Sequence, residues 1–527
     1  MKTLFYNGKI YLENKKFCNS FIVENGKFFC VGKETEKWIN QCSKKIDLNS
    51  KVVIPGLMDS HCHFLMTAVN YKKPNLNLCI SINQIVKVCR EYISKNKGKE
   101  FYFFEGWNEL NFIEEKRFLN RHDLDKISEN IPVFLVKSDR HLISCNTAGL
   151  KYIGIFNRDI NNEFIEKDDL NFPVGILKEN ATYLVREKID NRSLKENCEY
   201  IKNLSKVANS YGLTSIFTCE HLKINNTNDI DAYFELEKLN KLTLKFNHQL
   251  WFENLELLDK FFKKIKRKTT FNKINAIKLF ADGSLGSRTA SLKSGYKDNK
   301  KNYGFLNYSN NKIKDDVKKI NSLGFQVVVH AIGDNAIDQV INVFAQLDST
   351  NKNRNGIIHC QIASEEILNR IKKNNILMYV QPCFLEDDIL IMKNLIDSKL
   401  LKSSYAFNKI KNKKIHMSFG TDSPICSLNP WENIFYALER KTIKNELNKK
   451  TFYPNEKIDI YYAIDCYTKE SAYSSFCEKE KGFIKKGYDA DFAVLNHDIF
   501  NLKNNYEVIK THAEQTYLDG KLVWFKN

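Results

Sequence analysis

Short apolar runs separated by amphipathic stretches recur through most of this chain. The first, Val52-Val53-Ile54, leads into Pro55-Gly56-Leu57-Met58-Asp59-Ser60-His61-Cys62-His63. Further runs cover residues 214–218, 244–250, 276–280, 325–330, 356–359, 376–380 and 415–420. They are rich in Val, Ile and Phe and too short for helices, so they predict strands buried on both faces. Helical periodicity fills stretches between them, such as 334–347 and 364–373. Apolar strands alternating with helices predict an α/β fold, a (β/α)8 TIM-type barrel.

The two ends read differently. Residues 4–11 and 21–29 carry Asn7-Gly8 and Asn25-Gly26, and 515–524 carry Asp519-Gly520 after a strand at 490–495. Asx-Gly between apolar runs predicts two-residue hairpins. Two β-rich ends predict a small β-sandwich formed from both termini, residues 1–52 with 475–527, beside a barrel over 53–474. About 150 residues separate the first and second barrel strands, far more than a βα connection needs. They hold strands at 101–104 and 132–136 and a helix at 82–95, which predicts an α/β insertion after barrel strand 1, over residues 70–205.

Composition narrows the class. Of 527 residues, 43% are hydrophobic and 27% charged, as in ordinary globular proteins. The net charge of +18 comes from lysines scattered among asparagines, without a basic tract or aromatic-interleaved motif, so no nucleic-acid partner is expected. The 14 cysteines form no Cys-X-X-Cys pair. The start lacks an apolar leader, and no segment approaches the ~20 apolar residues of a membrane span. The expectation is a cytoplasmic chain with free thiols and no membrane partner.

Positions two apart on a strand face the same way, so His61 and His63 can present two imidazoles to one point while Cys62 faces away. Neutral imidazoles converging at a strand end suit a divalent metal. Active sites of such barrels collect at the C-terminal ends of the strands. Those ends carry Lys278 on the fourth strand, His330 on the fifth, His359 on the sixth and Asp422 just after the eighth.

With these residues in hand, the chain resembles the amidohydrolase superfamily, specifically its family-three or YtcJ-like branch. The resemblance runs through Gly56 to His63, Ile277 to Ala290, His330-Ala331-Ile332-Gly333-Asp334-Asn335-Ala336, His359-Cys360-Gln361 and Phe419-Gly420-Thr421-Asp422-Ser423-Pro424. It ends in Lys485-Lys486-Gly487-Tyr488-Asp489-Ala490-Asp491-Phe492. It implies two divalent metals, zinc or else iron or manganese. His61, His63 and Asp422 would hold one, and His330 and His359 the other. A lysine ammonium has no lone pair, so the implied bridge is Lys278 carboxylated to a carbamate. The implied activity is hydrolysis of a non-peptide, amide-type C–N bond of a small molecule by a metal-bound hydroxide, with Asp422 as the catalytic proton carrier. The alternatives are a mononuclear-metal deaminase of the same superfamily and a non-catalytic scaffold. A homodimer is compatible with either enzyme reading.

Other candidates are tied to the resemblance more loosely. For substrate binding they are Trp107 and His141 on the insertion, Asp282 and Arg288. Trp107 either walls a pocket or packs in a core; His141 either donates to substrate or lies on the surface. Asp282 could instead pair with Lys278, and Arg288 either pairs a substrate carboxylate or anchors its loop. Glu220, after the second strand, is either a partner behind the ligands or a solvated charge, the latter favoured. Relatives often carry Glu where this chain has Ile358, Asp where it has Thr218 or Cys219, and Arg where it has Asn408. These departures fall around the metals rather than on their ligands.

Overall fold

A computed structural model describes residues 1–526 except 72, 139–141, 158–160, 190–191, 223–226, 253, 264–266 and 444–450. The chain divides into two compact units, one of Met1–Thr67 with Asn197–Asn527 and one of Ala68–Glu196.

The first unit contains a parallel sheet of eight strands in chain order. These are β1 (Leu57–Cys62), β2 (Leu213–Thr218), β3 (Lys245–Phe252), β4 (Asn272–Phe280), β5 (Gln326–Ala331), β6 (Gly356–His359), β7 (Leu377–Val380) and β8 (Met417–Phe419). A short strand, His221–Leu222, pairs with the far end of β3. The sheet curls until the segment after β8 meets β1. There the Asp422 amide donates to the His61 carbonyl at 2.8 Å and the His63 amide to the Ser423 carbonyl at 2.7 Å. Helices Asp334–Leu347 and Glu365–Lys373 follow β5 and β6 where the periodicity places them. The α/β barrel is the architecture expected from the pattern of apolar runs.

The run that leads to His61 is two strands rather than one. Val52–Pro55 belongs to a terminal sheet, pairing with Lys9–Tyr11 and antiparallel with Phe492–Leu495, and the chain enters the barrel only at Leu57. Gly56 makes the switch because a Cβ there would come within 2.2 Å of the Thr214 hydroxyl.

Both ends of the chain contribute to one six-stranded sheet: Lys521–Phe525, Ala513–Leu518, Phe492–Leu495, Val52–Pro55, Lys9–Tyr11 and Phe17–Cys18. A four-stranded sheet holds Lys27–Val31, Phe21–Glu24, Thr3–Tyr6 and Lys44–Asp47. Phe5, Phe21, Phe28, Phe492 and Tyr517 from the two sheets share one core. Asn25-Gly26 and Asp519-Gly520 close two-residue hairpins with positive φ at both central positions. Asn7-Gly8 does not. Thr3–Tyr6 and Lys9–Tyr11 lie in different sheets, and the predicted hairpin is a corner. The Gly8 amide there donates to the Asn19 carbonyl, and the Asn7 side chain to Asp47. At the start of β3 the Lys245 ammonium lies within 3.0 Å of Asp489, Asp491 and Asp519, tying barrel to terminal sheet. That acidic trio has its cation already in the lysine.

The second unit is a five-stranded sheet ordered Ile165–Lys167, Pro173–Lys178, Leu142–Cys145, Val133–Lys137 and Tyr102–Trp107. Helix Ile82–Lys95 places Ile82, Ile85, Val86 and Cys89 in one core with Trp107. Trp107 is fully buried, donates its indole NH to the Leu135 carbonyl at 3.1 Å, and stacks near Phe112. A ring so enclosed packs in the core of the insertion, the second of the two readings of Trp107. His141 lies outside the described residues.

Candidate metal centre

The barrel's C-terminal end brings His61, His63 and Asp422 to one point, with a ligand atom of each within 4.8 Å of the others. The Asp422 Oδ1 oxygen lies 3.3 Å from Nε2 of His61 and 3.3 Å from Nε2 of His63. The ring of His359 lies 6.1 Å from that of His61 and 4.5 Å from that of His330. Lys278 is buried beneath them, its Nζ 3.2 Å from His61 Nε2.

The outer nitrogens of the four histidines decide their tautomers. His61 Nδ1 lies 2.6 Å from Gln249 Oε1, and that amide is itself oriented by donating to the Ser60 carbonyl. His63 Nδ1 meets the Cys219 carbonyl at 3.1 Å. His359 Nδ1 meets Gln381 Oε1 at 2.8 Å, the Gln381 amide donating to the Tyr379 carbonyl. His330 reverses the pattern, with Nε2 at 3.0 Å from the Gly283 carbonyl. Each oxygen can only accept, so each outer nitrogen carries a proton, and in the neutral ring the opposite nitrogen keeps a lone pair. Without a cation in place, Cys219 and Asp422 outweigh burial and favour a second proton on His63, raising it to about 10. Burial and the neighbouring Lys278 hold His61 and His330 down at about 4, in the neutral, ligating form. Burial likewise lowers Lys278 from its ordinary value.

These residues fit a cation. Asp422 Oδ1 is buried without a hydrogen-bond donor, facing the lone pairs of two imidazoles. Three converging lone pairs repel one another unless a positive ion sits among them. The backbone is committed to this arrangement: Asp422 and His359 are non-glycine residues at φ 54° and φ 73°. Beneath them, buried Asp59 accepts from the His61 amide at 3.1 Å and the Thr421 amide at 3.2 Å, and from the Thr421 hydroxyl at 2.6 Å.

Several supporting groups escaped the reading of the sequence. Gln249 lies within β3, three residues before its end, and Gln381 directly follows β7. Glu220 is buried rather than solvated. It accepts from the Tyr233 hydroxyl at 2.6 Å, the Leu65 amide at 3.2 Å and the Thr218 hydroxyl at 2.5 Å. Thr218 Oγ1 also accepts from the Phe64 amide at 3.1 Å. Thr218 and Glu220 therefore pin the backbone that follows His63. The Asn408 amide NH donates to Glu456 and its side chain to the Asn455 carbonyl. Ile358 is buried in an apolar cluster with Met58 and Val328.

Two expected substrate contacts are engaged elsewhere. Asp282 is buried, and its oxygens accept from the amides of Ser291, Ile332 and Gly333 at 2.9, 3.0 and 2.9 Å. It clamps the loops after β4 and β5, and its Oδ1 also lies 3.5 Å from Nε2 of His330. Arg288 is half-exposed and paired with Asp298 at 2.6 Å, the loop anchor rather than a free carboxylate receptor.

The Gln249 bond is testable. Gln249→Leu removes the acceptor that fixes His61, and metal affinity is expected to fall by about 10–100-fold, measured by competition with a chromophoric chelator.

A family model described as the amidohydrolase family matches residues 44–524. YtcJ of Bacillus subtilis is 28% identical over 542 residues, covering 100% of both chains. The N-substituted formamide deformylase of Arthrobacter pascens is 23% identical over 528 residues, covering 95% of this chain and 94% of its own. Among solved structures, an uncharacterized metal-dependent hydrolase from Pyrococcus horikoshii is 25% identical with a TM-score of 0.81, over 95% of this chain and 99% of that one.

Proposed function

This chain belongs to the amidohydrolase family, and from that premise we propose that it hydrolyses a non-peptide, amide-type C–N bond of a small molecule. The observation that carries the reading is the set of four imidazoles, each held from behind by an oxygen, around a buried carboxylate oxygen that has no donor. His61, His63 and Asp422 would hold one divalent cation, and His330 and His359 a second, zinc being well matched to this donor set. Bound there, such cations polarise a carbonyl and acidify water.

The chain's own groups supply the rest. Lys278, lowered by burial, can lose its proton and add through Nζ to carbon dioxide. Forming that N–C bond releases a second proton, and the resulting carbamate would carry one negative charge and two oxygens with which to hold the cations. Asp422 takes a proton from the attacking water and returns it to the leaving nitrogen. Asp59 and Gln249 keep Asp422 and His61 at the positions these steps need, through backbone and ring hydrogen bonds.

The test is a screen of N-acyl, N-formyl and cyclic amides against protein prepared with zinc and bicarbonate. Release of amine or acid, abolished by chelator and restored by metal, is the expected result. Ammonia released from an intact ring, with a single metal equivalent, would point to deamination instead.

A further inference from the structure

Above the ligands, the barrel wall turns aromatic. Lys278 and Phe280 lie two apart on β4, and Gln249 and Trp251 two apart on β3, so each pair shares one face. Lys278 and Gln249 reach His61 at 3.2 and 2.6 Å. Phe280 and Trp251 therefore stand one step nearer the barrel mouth on the same inner wall. The Phe280 ring is 5.8 Å from that of His330 and 5.7 Å from Trp251, which meets it edge to face at 84°. Past β7, Phe384 stacks against His359 with centroids 5.4 Å apart. His221 lies flat on Trp251 at 3.7 Å and 8°, which fixes the indole plane.

The burial gradient matters as much as the geometry. His61, Lys278 and His359 beneath are buried, whereas Trp251, Phe280 and Phe384 are half-buried. Large rings held rigid but incompletely covered, Phe280 and Phe384 against His330 and His359 and Trp251 against Phe280, leave apolar surface for a ligand to cover.

We propose that Trp251, Phe280 and Phe384 form a collar for a flat apolar substituent, so that the substrates are amide-type compounds carrying an aryl or similar hydrophobic group beside the scissile bond. This inference rests on the metal-dependent hydrolase reading above. It selects against small polar amides and ureas, which would leave the rings uncovered.

Hydroxamates, which chelate metals through a head shared by all of them, separate the collar from the centre. Binding of benzohydroxamate and acetohydroxamate to the zinc-loaded full-length protein is measured by titration calorimetry. The aryl compound is expected to bind at least about tenfold more tightly. Trp251→Leu and Phe280→Leu should each remove most of that difference while acetohydroxamate binds as before, which also shows that the variants are folded. Equal affinities in the native protein, or an aryl preference that survives both substitutions, would overturn the collar. Failure of both hydroxamates to bind zinc-loaded protein would overturn the metal-centre reading itself.

Discussion

Asp422→Asn is expected to leave the protein folded and most of its metal in place while lowering hydrolysis by about three orders of magnitude, within the range for a lost general acid–base group. The variant keeps an oxygen of nearly the same shape, and its backbone is held independently of the side-chain charge. The Asp422 amide donates to the His61 carbonyl at 2.8 Å, and the preceding Thr421 is bound to Asp59 through both its amide and its hydroxyl. What an amide cannot do is take up a proton from water and give it to a leaving nitrogen. Turnover and metal content measured on the same preparation separate the two roles. Full turnover in Asp422→Asn would remove Asp422 as proton carrier. A loss of metal in proportion to the loss of turnover would make it chiefly a ligand.

The strand ends are legible in the sequence because a buried parallel strand has a simple signature. Val327-Val328-Val329 or Gly356-Ile357-Ile358 can only be covered on both faces, and a histidine directly after such a run lies at the barrel's rim. Readings that depend on what a residue meets from elsewhere in the chain fared less well. Asn7-Gly8 and Asn25-Gly26 are the same dipeptide, yet only the second is a hairpin. The strands around the first are claimed by different sheets, through Val52–Pro55 on one side and Phe21–Glu24 on the other. Glu220 read as solvated because its partners, Tyr233 and the Leu65 amide, are distant in sequence and arrive only when the barrel closes. Trp107 carried no sign that Leu135 and Phe112 would enclose it. Gln249 and Gln381 do not stand out by type, since a glutamine attracts notice only once a histidine is seen to need its oxygen.

Lys278→Met is expected to reduce the bound metal from about two equivalents toward one and turnover by about two to three orders of magnitude, the several kcal/mol that one cation contributes. The lysine is buried, lies against the Phe280 ring with Nζ 5.0 Å from its centroid, and touches the ring nitrogen of His61 at 3.2 Å. A full positive charge is costly there, beside imidazoles that are to receive a dication. As a carbamate the same side chain would carry a negative charge and two oxygens into the gap between the histidine pairs. Methionine fills that space without supplying either. Lys278→Ala leaves the space open, so a short carboxylic acid such as propionate, added in solution, should restore part of the second equivalent and part of the turnover. The same acid should do nothing for Lys278→Met. Metal content by atomic emission, with and without propionate, gives the answer apart from any assay of substrate. If Lys278→Met keeps both equivalents, the bridge is not built on this lysine, and its burial at the barrel floor serves packing alone.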